Sequence, residues 1–128
     1  MTFEISQKFF FDAAHTLRRD IEIEGSARVH GHTYRGELAV TGGVDPNTGM
    51  VVDLGQLRLL VAQVREQLDH RLLDEVPGLG IPTLENLCAY IAQFAAMSDF
   101  RLSRVSVWRD GIGDRCDLRF ARTLPFPA

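Results

Sequence analysis

The sequence predicts an α+β domain in which two helices cover one face of a four-stranded antiparallel sheet. Two runs near the start of the chain and two near its end alternate apolar and polar residues, as half-buried strands do. Two central stretches instead repeat apolar residues at helical spacing. The predicted order is strand, strand, helix, helix, strand, strand (ββααββ). Because 128 residues is the length of one domain, we assign residues 1–128 to a single domain.

The first two strands are expected over residues 2–12 and 32–42. The apolar positions of these two runs are Phe3, Ile5, Phe9, Phe11 and Ala13 in the first, and Tyr34, Gly36, Leu38 and Val40 in the second. The connection over residues 16–29 is long for a hairpin and rich in charged side chains, which indicates a functional loop.

Each predicted helix has a recognisable start and one apolar stripe. Asp53 is a suitable N-cap for the first helix, and Thr83, directly after Pro82, is one for the second. The stripes consist of Leu57, Leu60, Val61, Val64 and Leu68 in the first helix, and Leu84, Leu87, Cys88, Ile91 and Phe94 or Ala95 in the second. The last two strands are expected on either side of a turn over residues 110–114.

Composition and charge exclude several classes of partner. The net charge is −3 and no Lys/Arg cluster is present, so nucleic acid is not expected as a partner. No apolar run approaches 18 residues and no signal-peptide pattern is seen, so we expect a soluble, cytoplasmic protein with no membrane contact. A four-stranded sheet has open edges, which favours a homo-oligomer.

Three of the four histidines form a candidate metal site. His30 and His32 lie two residues apart in an extended segment, so their side chains point to the same side, roughly 7 Å apart at the backbone. His15 continues the apolar parity of the first strand and completes the set if the two strands are neighbours. Three imidazoles with an open fourth position favour a catalytic Zn²⁺. The alternative is three surface or hydrogen-bonded histidines.

The fourth histidine, His70, follows Asp69 at the end of the first predicted helix. A carboxylate that accepts from one imidazole nitrogen fixes the tautomer and leaves the other nitrogen for proton transfer. Neighbouring residues within a helix do not face one another, so this pair can cooperate only if the helix ends there. The alternative is an ordinary polar helix end.

Five segments in order resemble one enzyme family over nearly the whole chain. They are Phe11-Asp12-Ala13-Ala14-His15, His30-Gly31-His32-Thr33-Tyr34, Thr48-Gly49-Met50-Val51-Val52-Asp53-Leu54, Leu68-Asp69-His70 and Pro82-Thr83-Leu84-Glu85-Asn86-Leu87. This combination resembles the 6-pyruvoyltetrahydropterin synthase and 6-carboxytetrahydropterin synthase family.

The resemblance implies the tunnelling (T-) fold, in which subunits pair their sheets into an oligomeric β-barrel. Two trimers then stack as a hexamer, with active sites at subunit interfaces. It also implies zinc on His15, His30 and His32, and a proton-relay dyad of Asp69 and His70. The implied substrate is 7,8-dihydroneopterin triphosphate. The bacterial branch makes 6-carboxy-5,6,7,8-tetrahydropterin for queuosine and 7-deazapurine synthesis.

Two positions depart from the family pattern. The catalytic cysteine of bacterial members falls at Ser26, and that of mammalian members at Glu24. A serine hydroxyl cannot deprotonate unaided near neutral pH, whereas Glu24 is a capable base. Members with a glutamate there resemble aldolases that release 6-hydroxymethyl-7,8-dihydropterin.

The second departure is in the third strand, where the family's pterin-anchoring glutamate and following threonine are replaced by Arg109 and Asp110. A guanidinium can only donate hydrogen bonds, whereas a carboxylate accepts from the amino-pyrimidine edge. Either Asp110 serves as the anchor after a bulge, or the bound base is not a pterin. The expected function is therefore a zinc-dependent pterin lyase, with an aldolase or a non-catalytic pterin- or purine-binding protein as alternatives.

Overall fold

The computed structural model describes residues 1–17 and 19–120, so residue 18 and residues 121–128 of the predicted domain lie outside the described part. Its elements are β1 (Phe3–His15), α1 (Ile23–Ala27), β2 (His30–Gly42), α2 (Leu54–Leu68), a 3₁₀ turn (Leu73–Glu75), α3 (Leu84–Met97), β3 (Arg104–Arg109) and β4 (Asp114–Arg119). The predicted α+β class and the order of strands and long helices are confirmed.

The four strands form one antiparallel sheet in the order β1-β2-β3-β4. β1 and β2 pair over their whole length, from Phe3 opposite Gly42 to His15 opposite His30. Both strands are longer than the alternating pattern predicted, because the pairing continues through Ala13, Gly31 and the histidines beyond the apolar runs.

Helices α2 and α3 cover one face of the sheet and form the core with it. The buried residues on that face of the strands include Phe9, Phe11, Tyr34, Leu38, Val40, Val105 and Val107. Gly36 belongs to the same face, and its missing side chain makes room for the ring of Phe9, whose Cζ would lie 2.3 Å from a Cβ at residue 36. The sheet therefore needs glycine at this position.

The helix starts predicted from the sequence are confirmed. Asp53 accepts a hydrogen bond from the backbone N–H of Gly55 at the start of α2, and Thr83 accepts one from the N–H of Asn86 at the start of α3. α2 ends at Leu68, and His70 then adopts a left-handed backbone conformation with φ of 58°. This reversal lets the N–H of His70 donate to the carbonyl of Asp12 on β1.

The connection between β1 and β2 contains the short helix α1, which the sequence pattern did not indicate. The N–H of Leu17 donates to the carbonyl of Ser26 at 2.6 Å, so the connection folds back on itself beside the end of β1. Five residues are too few for a helix to be stable by propensity alone, so the hydrogen bond from Leu17 and the burial of Ser26 help to hold α1 in place.

The sheet face away from the helices carries a network of paired charges. The guanidinium of Arg104 is only 10% exposed and donates to Glu4 and Glu37, at 2.8 Å each, and to Ser106. Ser106 in turn donates to Asp117. These contacts join all four strands on a face that has no helical cover.

Among the described residues, no helix is long and apolar enough to cross a bilayer.

Candidate active site

The pairing of β1 with β2 brings three imidazoles together at one end of the sheet. The Nε2 atom of His15 lies 3.0 Å from that of His30 and 3.1 Å from that of His32. The possible ligand atoms of all three lie within 4.8 Å of one another. The side chains thus converge through the same ring atom, as ligands of one ion would.

Backbone carbonyls fix the tautomers of two of these rings. The Nδ1 of His15 lies 3.1 Å from the carbonyl oxygen of Pro82, and the Nδ1 of His30 lies 2.7 Å from that of Arg28. A carbonyl oxygen only accepts, so each Nδ1 carries the proton and each neutral ring has a lone pair on Nε2. Two such lone pairs facing each other at 3.0 Å repel unless a cation lies between them. The donor set therefore fits a metal ion, and nitrogen ligands without thiolates suit zinc.

The environment favours the neutral form of His15 and His32. Burial lowers the pKa of His15, and burial together with the nearby Arg109 lowers the pKa of His32 to about 4. An imidazole binds a metal only in its neutral form, so both shifts favour metal binding at neutral pH.

Arg109 points at the histidines from β3. Its Nη1 lies 3.2 Å from the Nε2 of His32, and its Nη2 donates to Asp114 at 2.5 Å. Its Nε and the hydroxyl of Tyr34 are both shielded from solvent and find no hydrogen-bond partner among the described residues. The same burial raises the pKa of Tyr34 to about 12. A cationic side chain is thus part of the wall beside the candidate metal site.

A pocket of about 530 Å³ opens beside this wall. It is lined by His15, Leu17, Arg19, Tyr34, Ile81, Pro82, Thr83, Leu84, Glu85, Arg109, Asp114 and Arg115. One side comes from the sheet and the other from the start of α3. The pocket is large enough for a small heterocyclic ligand next to His15.

Asp69 and His70 form the pair that the sequence suggested, because α2 ends directly before them. The Nδ1 of His70 lies 3.0 Å from Oδ2 of Asp69, whose other oxygen accepts from the N–H of Asp12 at 2.9 Å. The Asp12 N–H and the His70 ring lower the pKa of Asp69, so it remains a carboxylate. His70 is exposed and shares a shallow depression with His32.

Glu24 and Ser26, the two candidate bases, both lie in α1. Glu24 is exposed in the first turn of this helix. Ser26 is only 4% exposed, and its hydroxyl donates to the carbonyl of Ile23 at 3.2 Å. Neither residue is part of the wall of the pocket beside His15.

Asp110 lies away from the histidines. The register of β3 and β4 runs without interruption to the pair of Arg109 and Asp114, so these strands contain no bulge that would turn Asp110 toward the pocket. The Asp110 carboxylate instead accepts from Arg35, and both side chains are exposed.

Sequence reasoning missed Asp114. It is paired directly with Arg109 across the β3–β4 hairpin, so the two side chains share a face of the sheet. The turn over residues 110–114 was expected, but the alternating pattern gave no register across it. This pairing could have been found only by pairing residues one by one on either side of the predicted turn.

The fold and the site together define an α+β protein with three convergent histidines, a candidate metal site, on its first hairpin. The family model described as 6-pyruvoyl tetrahydropterin synthase matches residues 4–119, and the chain belongs to this family.

Curated relatives and a solved structure agree with the family match. The chain is 36% identical over 97 residues to a putative 6-carboxy-5,6,7,8-tetrahydropterin synthase of Archaeoglobus fulgidus, covering 76% of this chain and 79% of that one. It is 35% identical over 101 residues to a dihydroneopterin monophosphate aldolase of Pyrococcus furiosus, covering 77% and 82%. The 6-pyruvoyl tetrahydropterin synthase structure of Caenorhabditis elegans superposes with a TM-score of 0.78 at 25% identity, covering 94% and 97%.

Proposed function

We propose that the chain is a zinc-dependent lyase acting on 7,8-dihydroneopterin triphosphate or a related pterin, with 6-carboxy-5,6,7,8-tetrahydropterin synthase activity. The convergence of three Nε2 atoms, two of them fixed as lone-pair donors by carbonyls, is the observation that carries this proposal. In this assignment the product would serve the synthesis of queuosine and other 7-deazapurines.

His15, His30 and His32 would hold the zinc ion. When bound there, zinc would polarise an oxygen of the substrate side chain and lower the pKa of its hydroxyl group. The residues around it have separate tasks. Tyr34 and Pro82 line the pocket and exclude water from one side of the ligand.

Asp69 and His70 would move a proton. Asp69 stays ionised and accepts from Nδ1 of His70, which leaves Nε2 of His70 free to take or give a proton. His70 is largely exposed in the single chain. Such exposure is expected if the site is completed by a neighbouring subunit at an interface. A homohexamer, a dimer of trimers, would supply such an interface.

Glu24 is the stronger candidate for the base at the position of the usual cysteine. Its carboxylate is exposed, whereas the Ser26 hydroxyl is buried and engaged with the Ile23 carbonyl. A glutamate base makes an aldolase-type activity the second candidate function, and the similarity to the Pyrococcus furiosus aldolase supports it.

Incubation of the zinc-loaded chain with 7,8-dihydroneopterin triphosphate, followed by identification of the products, tests this proposal. The synthase reaction would yield 6-carboxy-5,6,7,8-tetrahydropterin, and the aldolase reaction would yield 6-hydroxymethyl-7,8-dihydropterin. Failure to convert the triphosphate or its dephosphorylated forms would leave a non-catalytic pterin- or purine-binding protein.

Substitutions in α1 then assign the base. Glu24→Gln should abolish turnover while zinc content stays unchanged, because an amide keeps the shape but cannot accept the proton. Ser26→Ala serves as the control and should retain the wild-type rate. Ser26→Cys should restore or redirect activity toward the synthase product, since a thiol near a cationic site has a lowered pKa. Full activity in Glu24→Gln would exclude Glu24 as the base.

Light scattering tests the assembly. A hexamer would have six times the 14.3 kDa mass of one chain, and a monomer at micromolar concentration would rule out a site shared between subunits.

A further inference from the structure

We propose that Asp114, oriented by Arg109, is the residue that recognises the amino-pyrimidine edge of a pterin in the pocket beside the three histidines. The inference rests on the proposed function for the class of ligand. It assigns a specificity-determining role to a residue that the sequence pattern did not single out.

The chemistry of the ligand requires an acceptor in this pocket. A pterin ring ends in a 2-amino-4-oxopyrimidine edge, which presents two adjacent N–H donors. A carboxylate matches this edge because its two oxygens accept a pair of parallel hydrogen bonds. Arg109, which points toward the histidines, has only donors and cannot play this part.

Only two carboxylates line the described part of the pocket, those of Asp114 and Glu85. Asp110 faces Arg35 instead, although it is the acidic residue next to Arg109 in the sequence. Asp114 sits directly across the hairpin from Arg109 and on the same face of the sheet. The acceptor is therefore found one strand further along the sheet, on β4.

Asp114 is also better placed than Glu85. One guanidinium bridges the candidate metal site and the Asp114 carboxylate, with Nη1 at 3.2 Å from Nε2 of His32 and Nη2 at 2.5 Å from Oδ2 of Asp114. This contact fixes the carboxylate, and its 45% exposure leaves lone pairs on both oxygens for a ligand. Glu85 is exposed in the first turn of α3, where its charge already suits the positive end of the helix dipole.

The test compares two ligands that differ only at the recognised edge. Neopterin carries the 2-amino-4-oxo ring, and the matching 2,4-dioxo compound lacks the amino donors. Binding of each to the zinc-loaded full chain is measured by calorimetry. Wild type should prefer neopterin, and Asp114→Asn should weaken neopterin binding by roughly tenfold or more, because hydrogen bonds to a charged group are the stronger ones. Binding of the dioxo compound should change little.

A purely structural role would give a different result. A half-exposed ion pair at the end of a hairpin adds little to stability, so Asp114→Asn should keep the thermal midpoint of the metal-free protein. Binding of the two ligands is compared at zinc concentrations that saturate both proteins. The paired exchange Arg109→Asp with Asp114→Arg keeps the ion pair but moves the carboxylate to β3. It should bind neopterin more tightly than Asp114→Asn does.

Four results would overturn the proposal. In Asp114→Asn, these are an unchanged affinity for neopterin or an equal loss of affinity for both ligands. The others are a selective loss of neopterin affinity in Glu85→Gln or Asp110→Asn instead, and no binding of neopterin by wild type. Because binding is measured without turnover, a chain that binds neopterin through Asp114 but forms no product would refute the proposed enzyme activity alone.

Discussion

Replacing Arg109 with methionine should strengthen zinc binding, because Arg109 places a positive charge beside the candidate metal site. A zinc ion lies about 2.1 Å from a histidine nitrogen, and Nη1 of Arg109 is 3.2 Å from Nε2 of His32. The guanidinium nitrogen would then lie at most about 5.3 Å from an ion bound to His32, the sum of these two lengths.

The size of the effect follows from this distance. At an effective dielectric constant of 20, repulsion between a double and a single charge 5.3 Å apart is about 6 kcal/mol. Asp114 is present in both proteins, so its attraction for the ion cancels in the comparison, whereas solvent and salt in the open pocket weaken the repulsion. A screened repulsion of about 1–3 kcal/mol corresponds to a roughly 5- to 150-fold gain in zinc affinity for Arg109→Met.

Competition with a chromophoric chelator at neutral pH measures this affinity. Arg19→Met is the matched control, because Arg19 lines the same pocket but is paired with Glu22 and half exposed. That variant should bind zinc like wild type. Unchanged or weaker zinc binding in Arg109→Met would refute the reasoning, since it would mean that Arg109 supports the metal site.

Three further predictions concern the metal and the core. His30→Ala should abolish stoichiometric zinc in elemental analysis; a retained equivalent would show that the ion is held elsewhere. Because the pKa of His32 is lowered to about 4 in the folded chain, the unfolded chain binds more protons between pH 6.5 and 4. Metal-free protein should therefore lose stability to denaturant as the pH falls through this window, and His32→Gln should show a smaller loss. Gly36→Ala should destabilise the chain by about 1–3 kcal/mol because its Cβ overlaps the Phe9 ring, whereas Gly25→Ala, with open space around it, should not.

Periodicity was sufficient to predict the sheet, the two long helices and the buried face. Local rules also placed both N-caps, because Asp53 and Thr83 act within three residues of themselves. The short helix α1 was not predicted, since five residues give too little pattern and the hydrogen bond between Leu17 and Ser26 depends on how the connection folds back.

Only the part of the candidate site that depends on the alternation of side chains along a strand was predictable. His30 and His32 share a side because of the two-residue period, and His15 joins them because β1 and β2 pair in full. The contact of Arg109 with His32 and Asp114 depends on the register across two strand pairs, which no local pattern encodes. The pairing of Asp69 with His70 required the helix to stop at Leu68, and the backbone reversal at His70 was not visible in the sequence.

The charge network around Arg104 restricts how copies of this chain can adhere to one another. Its charges already satisfy each other across all four strands, and a second sheet laid flat against them would have to remove them from water. Pairing between edge strands is less costly, because β1 and β4 are the outer strands of the sheet and offer a row of backbone donors and acceptors. We therefore expect any contact between copies of this chain to involve the outer strands β1 and β4, with the charged face remaining hydrated.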